Sequence, residues 1–346
     1  MTRVLVIGGG PAGSATAIAA AAGGVDVTLV ERAAFPRDKV CGGCLSTAGL
    51  AALDELGVAS EFRSLSASVD RWIGHLDGRR VELDLPPGRA VSRKRLDPLL
   101  LERAAAVGVT VRTETEARIV AMNDDAAVVD VGGVRETYDV VVAATGLGGG
   151  SLTRYLPWID PPHGPYGLFA AVDAAACPEL ETGVIDMRWN DDGYVGLVHL
   201  GDGRVDIAAA VEPSASGRPA EILERMTGVA IDPSTILATP PLRRTRTPAA
   251  GRLIAVGDAA GYVEPFTGEG MTWAMRSGIA AGRLIATAPP RGLAERWTRT
   301  ASAINRTRRI RCAAVTSTLR RPMLRRFIGR SLGRFPGLAS PLVSRL

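Results

Sequence analysis

Two apolar runs at the start of the chain are separated by a segment of small residues. Residues 3–7 are mostly aliphatic and lead into glycines, residues 11–23 are small and compatible with a helix, and residues 25–30 form a second apolar run. Short apolar runs bounded by glycine are typical of buried strands. The pattern therefore predicts a strand, a tight turn, a helix and a second strand.

Similar signals recur further along the chain. Leu96 to Val107 predicts a helix that Gly108 ends, and Val109 to Arg112 predicts a strand after it. Residues 138–144 and 253–256 lack polar alternation, which indicates strands buried on both faces, as in a parallel sheet.

The region from residue 166 to 211 has another pattern. Four strand-like runs, with Asp-Gly turns between them, extend from Leu168 to Val172, Gly183 to Trp189, Tyr194 to Leu200 and Arg204 to Val211. Such turns favour hairpins, so we expect an antiparallel sheet. Because candidate parallel strands lie on both sides of this region, we expect the sheet to be inserted into the other domain.

The glycines after the first strand have the spacing of a dinucleotide-binding motif. Gly8-x-Gly10-x-x-Gly13 follows a predicted strand and opens a predicted helix, the context that this fingerprint requires. The glycines permit a tight turn, backbone approach to a pyrophosphate and close helix packing, and the helix N-terminus favours phosphate. Glu31, eighteen residues after Gly13, is placed to accept hydrogen bonds from adenosine ribose hydroxyls.

A second element favours FAD over NAD as the dinucleotide. Asp258 follows the apolar run 253–256 directly, where its carboxylate can accept a hydrogen bond from a ribityl hydroxyl. Residues 265–278 then begin a helix whose N-terminal N–H groups would stabilise negative charge developing on the flavin ring. The two elements together predict a flavoprotein.

On these residues the chain resembles the p-hydroxybenzoate hydroxylase superfamily of flavoproteins, and within it most closely the geranylgeranyl reductase branch. The resemblance extends from residue 3 to about residue 285. Besides the two elements above it rests on Phe35-Pro36-Arg37 leading into Val40-Cys41-Gly42-Gly43, and on the Arg93-x-x-Leu96-Asp97 helix start. Cys41-Gly42-Gly43 is similar to the reductase branch in particular, where such a cysteine lies near the flavin and the substrate channel.

Two segments depart from the family pattern. Residues 147–154 begin with Leu147 where the superfamily often has an Asp linked to FAD and NAD(P)H handling. Residues 194–200 keep Tyr194 but not the other aromatic residues that isoprenoid reductases have there. The electron donor and the substrate therefore stay open.

The predicted fold class is α/β (α+β), with a Rossmann-type FAD-binding domain built on a parallel sheet, an inserted antiparallel-sheet substrate domain and a helical C-terminal tail. We assign residues 1–68, 91–160 and 246–298 to the FAD-binding domain, 69–90 and 161–245 to the substrate domain, and 299–346 to the tail.

The predicted FAD-binding residues come from the motifs and from the resemblance. They are Gly8, Gly10, Pro11, Ala12, Gly13, Glu31, Arg32, Arg37, Cys41, Gly42, Gly43, Arg93, Thr145, Gly146, Gly257, Asp258, Pro265, Gly268, Gly270 and Met271.

Three functions fit the sequence. The preferred one is reduction of a C=C bond in a lipophilic substrate, isoprenoid-like or polyketide, by hydride from reduced flavin, with NAD(P)H as transient electron donor. The alternatives are an aromatic or polyketide monooxygenase and an electron-transfer partner without its own substrate. Cys41 is the candidate catalytic proton donor, on the hypothesis that Arg37, Lys39 or a helix dipole lowers the pKa of its thiol; the alternative is a structural cysteine beside a Gly-Gly turn.

The four cysteines and three histidines do not form a recognisable metal or disulfide pattern. Cys41 and Cys44 make one C-x-x-C, but no second pair and no H-x-x-x-H accompanies it. We therefore predict no metal site.

Charge is distributed unevenly. Residues 299–346 hold twelve Arg and no acid, which leaves 29 basic against 36 acidic side chains in the preceding 298 residues. Such a tail either contacts an anionic membrane surface or packs on the acidic body, with nucleic acid not expected as a partner. Because glycines interrupt the N-terminal apolar run and no stretch is long enough to span a bilayer, we expect a cytoplasmic protein, with peripheral contact at the inner membrane face through this tail.

Overall fold

The computed structural model describes residues 1–76, 78–262 and 269–319, together with residues 321, 323, 324, 326, 328, 330 and 331.

The strands of the described part are β1 (Arg3–Ile7), β2 (Asp26–Val30), β3 (Cys44–Leu45), β4 (Ala67–Leu76), β5 (Arg79–Ala90), β6 (Thr110–Arg112), β7 (Ala117–Met122), β8 (Ala127–Val131), β9 (Val134–Tyr138), β10 (Val140–Ala143), β11 (Trp158–Asp173), β12 (Val184–Asn190), β13 (Gly193–His199), β14 (Arg204–Val211), β15 (Leu237–Arg246), β16 (Ala249–Ala250), β17 (Leu253–Ala255) and β18 (Gly261–Tyr262). The helices are α1 (Pro11–Ala22), α2 (Thr47–Glu55), α3 (Ala59–Leu65), α4 (Arg93–Ala106), α5 (Pro219–Thr227), α6 (Gly270–Thr287) and α7 (Leu293–Leu319).

A six-stranded sheet in the order β16-β17-β10-β1-β2-β6 contains the first predicted strands. All of its pairings are parallel except that of the short edge strand β16. The aliphatic side chains of β1 and β10 are buried because helices cover one face and the small sheet β7-β8-β9 covers the other. The predicted strands at 3–7, 25–30, 109–112, 138–144 and 253–256, and the helices at 11–23 and 96–107, are confirmed within a few residues.

Helices α1 and α6 lie against each other with almost no side chain between them. A Cβ atom on Gly278 would collide with the carbonyl oxygen of Ala12, and one on Gly282 would lie 2.6 Å from the carbonyl oxygen of Thr16. Interiors are packed at crystal-like density, so such gaps admit hydrogen but not a methyl group. The two glycines therefore fix how closely the start of α6 approaches the dinucleotide motif at the start of α1.

A nine-stranded sheet in the order β18-β15-β11-β14-β13-β12-β4-β5-β3 forms the second layer. Its centre is antiparallel, while β12 and β4 pair in parallel. Helix α5 packs on one face, over Val205, Ile207 and Val211 of β14. The four predicted strands between residues 166 and 211 are confirmed, and with the parallel sheet they confirm the predicted fold class.

Strand β11 is longer than its sequence pattern predicts. It begins at Trp158 and passes through Pro161, Pro162 and Pro165, which cannot donate to a sheet ladder. Its register with β15 shifts repeatedly in this stretch, so the prolines are accommodated by bulges.

The nine-stranded sheet draws most of its strands from residues 69–90 and 161–245, the ranges assigned to the substrate domain. It also takes β3 and β18 from ranges assigned to the FAD-binding domain. The domain division itself stays a prediction.

The basic tail continues from α7. Within the described part of the chain, no helix is both long and apolar enough to cross a bilayer. Met323 is 83% exposed and Leu324 is 39% exposed. Phe327 and Leu332, which contribute to the apolar spacing of the tail, lie outside the described residues.

The contact between α1 and α6 yields a prediction for Gly282→Ala. Alanine should add up to about 1 kcal/mol of helix propensity, but overpacking against Thr16 should outweigh that gain and lower the free energy of unfolding by about 1–3 kcal/mol. Urea unfolding measures the difference. The matched control is Arg283→Ala at the next, exposed position of α6, expected within about 1 kcal/mol of wild type because only a surface ion pair is lost. A Gly282→Ala protein as stable as wild type would contradict the packing argument.

Candidate active site

The turn between β1 and α1 is closed by direct backbone contact. Gly8 has φ +115°, and a Cβ atom on it would collide with the carbonyl oxygen of Ala144 at the end of β10. A Cβ atom on Gly13 would overlap the carbonyl oxygen of Gly8. Pro11 begins the helix, where a missing N–H costs nothing. The N-terminus of α1 is thereby held at the carboxyl edge of the parallel sheet, with Gly10 exposed to a cavity.

Glu31, directly after β2, connects this turn to the following loop through hydrogen bonds. Its carboxylate accepts hydrogen bonds from the Gly9 N–H at 3.0 Å, the Ala33 N–H at 3.1 Å and Arg37 Nη2 at 3.2 Å. Burial raises the pKa of Glu31, but the hydrogen bond from Gly9 and the charge of Arg37 outweigh it, so the pKa is lowered from its ordinary value. Glu31 is therefore an anion in the cavity wall.

Arg93, at the start of α4, faces the same turn. Its guanidinium makes two hydrogen bonds to Asp97, of 2.6 and 2.7 Å, and Nη2 lies 3.2 Å from where a Cβ of Gly10 would stand. Burial alone would lower the pKa of Arg93, yet Asp97 raises it above its ordinary value. A charged guanidinium is thus fixed beside the α1 N-terminus.

Lys39 is a cation of this cavity that our prediction did not place among the site residues. Nζ lies 3.0 Å from where a Cβ of Gly146 would stand, and Lys39 lines the cavity. Burial lowers its pKa, and the charges of Arg93 and Arg37 lower it further. The sequence feature that could have identified Lys39 is the spacing Arg37-x-Lys39, which ends two residues before Cys41.

The carboxyl ends of β10 and β17 bring the remaining predicted residues to the same place. Thr145, Gly146 and Asp258 line the cavity, as do Gly270 and Met271 at the start of α6. The Thr145 hydroxyl is buried and makes no hydrogen bond to any described residue. It is therefore available to a bound molecule.

The structure thus brings most of the predicted FAD-binding residues around one cavity. Gly13, Gly43 and Gly257 stand behind its wall, and Pro265 and Gly268 lie outside the described residues. Those that line it are Gly8, Gly10, Pro11, Ala12, Glu31, Arg32, Arg37, Cys41, Gly42, Arg93, Thr145, Gly146, Asp258, Gly270 and Met271.

The cavity continues from the polar edge onto the nine-stranded sheet. Its volume is about 1180 Å³, above the roughly 300–1,000 Å³ of a typical small-molecule site. The far walls are apolar and include Trp72, Leu76, Ile185, Met187 and Leu242. The larger volume fits a site for a dinucleotide and a second molecule.

Small residues deepen the cavity along the sheet face. Gly196 on β13 lies opposite Ala208 on β14, and Gly167 on β11 lies opposite Ala210. All four line the cavity. Because these residues have no side chain or only a methyl group, they leave space in the cavity between the larger residues at the two ends of the cavity.

Cys41 lines the cavity, and the hypothesis that its pKa is lowered is wrong. Burial raises the pKa of the thiol, and the opposing effects of Arg93 and of a hydrogen bond from Gly43 do not cancel it. Arg37 and Lys39 are not among the main causes of the shift. The thiol is therefore the neutral form at neutral pH. Cys41 and Cys44 are both free.

The arrangement fits a dinucleotide. Arg93 is fixed beside the N-terminus of α1, whose N–H groups and dipole favour phosphate, and the basic residues Arg37 and Lys39 line the same cavity. At Gly10 a side chain would enter the space between the helix end and Arg93. Among the described residues, no three His, Cys, Asp or Glu side chains come together as metal ligands would.

Residues 1–147 match the family model described as an FAD binding domain. The chain is 30% identical over 331 residues to menaquinone reductase of Mycolicibacterium smegmatis, covering 85% of this chain and 78% of that protein. It is 28% identical over 311 residues to digeranylgeranylglycerophospholipid reductase 1 of Methanopyrus kandleri, covering 82% and 80%.

Solved structures share the fold at low sequence identity. The flavin-dependent brominase Bmp2 superposes with a TM-score of 0.76 at 18% identity, covering 99% of this chain and 93% of that one. Klebsiella pneumoniae HpxO complexed with FAD has a TM-score of 0.76 at 17% identity, covering 99% of each chain.

The matching family model identifies FAD as the cofactor that the glycines and basic residues of this cavity would bind. The chain belongs to the FAD-dependent oxidoreductases of the p-hydroxybenzoate hydroxylase superfamily, in the geranylgeranyl reductase branch.

Proposed function

We propose that this enzyme reduces a C=C bond of a lipophilic, isoprenoid-like or polyketide substrate. The observation that carries the proposal is the single cavity that joins the dinucleotide-binding edge of the parallel sheet to the apolar face of the nine-stranded sheet. When bound, FAD supplies the hydride chemistry. The protein supplies binding, orientation and a proton.

Several residues would hold FAD. The first turn of α1, which follows Gly8 to Gly10, presents free backbone N–H groups to phosphate, with Arg93 as a fixed positive charge beside Gly10 and Lys39 near Gly146. Glu31 and Asp258 offer carboxylate oxygens for sugar and ribityl hydroxyls. These interactions stand at one end of the cavity and leave the apolar end to the substrate.

The apolar end favours a hydrocarbon chain. Each CH₂ group transferred from water into such surroundings contributes about 0.8 kcal/mol, so a long chain gains affinity without specific polar contacts. The small side chains at Gly196 and Ala208 give that chain a path along the sheet. Apolar walls also exclude water, which protects a hydride donor from side reactions.

Cys41 is the proposed proton donor. It lines the cavity, and its raised pKa keeps a proton on sulfur at neutral pH. A donor needs this protonated form, whereas a nucleophile would need the thiolate.

The relatives support a reductase. Menaquinone reductase and digeranylgeranylglycerophospholipid reductase are named for reduction, and their named substrates are lipids. We propose NAD(P)H as the transient electron donor, because it is the hydride source that commonly reduces flavins. The apolar cavity counts against an electron-transfer partner without its own substrate.

We also propose that the tail touches an anionic membrane surface. Thr318 and Ile328 line the cavity, which supports a role of this segment near the proposed substrate site. Arg321, Met323 and Arg330 of the same segment are all exposed. A basic surface with exposed apolar groups is the combination that binds anionic lipid, from which a lipophilic substrate could enter.

The reductase proposal is tested by turnover without oxygen. With NAD(P)H, FAD and a polyprenyl quinone in sealed, oxygen-free buffer, we expect a product heavier by two hydrogens, identified by mass spectrometry. A monooxygenase would yield nothing without oxygen and an oxygenated product in air. That second pattern would contradict the proposal.

The FAD site is tested by Gly10→Val. A branched side chain at the α1 N-terminus should occupy the phosphate position and press on Arg93, so the purified protein should lose most of its flavin absorbance. Ala22→Val, at the exposed end of the same helix, is the matched control and should retain FAD. Full FAD occupancy in a folded Gly10→Val protein would show that the site is assigned wrongly.

The membrane contact is tested by vesicle co-sedimentation. Each basic residue near anionic lipid contributes about 1 kcal/mol, so the double variant Arg321→Gln and Arg330→Gln should lower the affinity for anionic vesicles about tenfold or more at low salt. The control pair Arg218→Gln and Arg291→Gln removes two exposed charges elsewhere and should have little effect. Wild-type protein that ignores anionic vesicles at low salt would overturn the proposal.

A further inference from the structure

Asp206 is a buried acid on the side of β14 that faces the cavity. Its neighbours Val205 and Ile207 point to the core under α5, while Ala208, two residues further on, lines the cavity. Asp206 is only 2% exposed. Acids are seldom buried so completely unless paired or functional.

The carboxyl group lies directly behind the Cys41-Gly42-Gly43-Cys44 segment, here called the cysteine loop. Oδ2 is 3.0 Å from where a Cβ of Gly43 would stand, and Gly43 has φ +67°. The Gly43 N–H in turn lies close enough to the Cys41 sulfur to affect the pKa of that thiol. One glycine therefore separates the carboxyl group from the proposed proton donor.

Asp206 has no ion pair to neutralise it among the described residues, and its Oδ1 atom is buried without a hydrogen bond. The nearby Arg204 guanidinium bonds to Asp202 at 3.0 Å and to Asp38 at 3.4 Å instead. The pKa of Asp206 is raised to about 8, and burial is the main cause. The charges of Asp202 and Asp38 also raise this pKa, whereas the charge of Arg204 lowers it. The thiols of Cys41 and Cys44 also face this carboxyl group. At neutral pH Asp206 therefore holds a proton.

We propose that Asp206 is the proton reserve of the cysteine loop, a positioning residue that acts through Cys41 and does not touch the substrate. The inference rests on the proposed function, in which Cys41 protonates the reduced bond.

The proton balance is simple. The S–H bond of Cys41 breaks as a C–H bond forms on the carbon beside the one that received hydride from the reduced flavin. The O–H bond of Asp206 then breaks as the S–H bond forms again. Water returns a proton to the Asp206 carboxylate, so the protein ends the cycle as it began.

The first test compares Asp206→Asn with wild type, both holding FAD, over pH 6 to 10. In wild type, turnover with a polyprenyl quinone should fall above about pH 8, where the reserve is empty. Asparagine keeps the shape but holds no transferable proton, so turnover should be lower by about tenfold, and this limb of the pH profile should disappear. Flavin reduction by NAD(P)H, which needs no proton from the loop, should stay unchanged.

The matched control is Asp202→Asn, which removes a carboxylate bonded to Arg204 instead of the one behind Gly43. It should keep the limb, moved to lower pH because a charge that raises the pKa of Asp206 is lost, and below that limb a rate within about twofold of wild type. If Asp206→Asn shows the wild-type profile and rate, the proton reserve is refuted while the reductase proposal stands. If wild type reduces no C=C bond, the proposed function fails, and the proton step fails with it.

A second test needs no turnover. In a Cys44→Ser background, iodoacetamide reports the thiolate fraction of Cys41, which is accessible from the cavity. At pH 9 the ionised Asp206 should suppress the thiolate, so Asp206→Asn should react severalfold faster, and the two proteins should react alike at pH 6. Asp206→Ser repeats the measurement should the asparagine variant fold poorly. Equal rates at every pH would show that Asp206 and Cys41 are uncoupled, which contradicts the proposal.

Discussion

The structure depends on one contact, the approach of the Gly13 backbone to the Gly8 carbonyl. A single methyl group at Gly13 would separate α1 from the end of β1, and the N–H groups of α1 would no longer point into the cavity. A side chain at Gly8 would likewise collide with the carbonyl oxygen of Ala144 at the end of the neighbouring strand. Because these distances leave no room for a side chain, the start of α1, the end of β10 and the start of α6 meet at one sheet edge, where phosphate is favoured.

The two ends of the cavity differ in polarity: the first is charged and the second is apolar. At the first, Arg93 is buried and Lys39 is partly buried, so their interactions with an anion are stronger than they would be at the surface. At the second, the sheet face offers hydrocarbon and small side chains. The cysteine loop lines the same cavity through Cys41, and the same low polarity that favours a lipophilic substrate raises the pKa values of Cys41 and Asp206. One cause, burial, thus underlies both the proposed substrate class and the protons retained by Cys41 and Asp206.

Local sequence patterns were sufficient to predict much of the fold and of the site. The strand, turn and helix around Gly8 to Gly13, and the parallel strands after them, follow from spacing that neighbouring residues determine. The long β11 was underestimated because its prolines are tolerated only through bulges against β15, a tertiary feature. Asp206 could not be found, since an acid between Val205 and Ile207 indicates a solvent-facing position on a strand. Its burial comes from a loop 160 residues earlier in the chain. The pKa of Cys41 was predicted in the wrong direction for the same reason: neighbouring cations are visible in sequence, but burial is not.

We propose that one continuous cavity holds FAD at its polar end and a lipophilic substrate at its apolar end. A crystal structure of the protein with FAD and a polyprenyl quinone tests this arrangement. We expect the pyrophosphate at the N-terminus of α1, the flavin ring system beside the cysteine loop, and the prenyl chain against Gly196 and Ala208 of the nine-stranded sheet. A prenyl chain bound elsewhere, or a flavin ring system distant from Cys41, would contradict it.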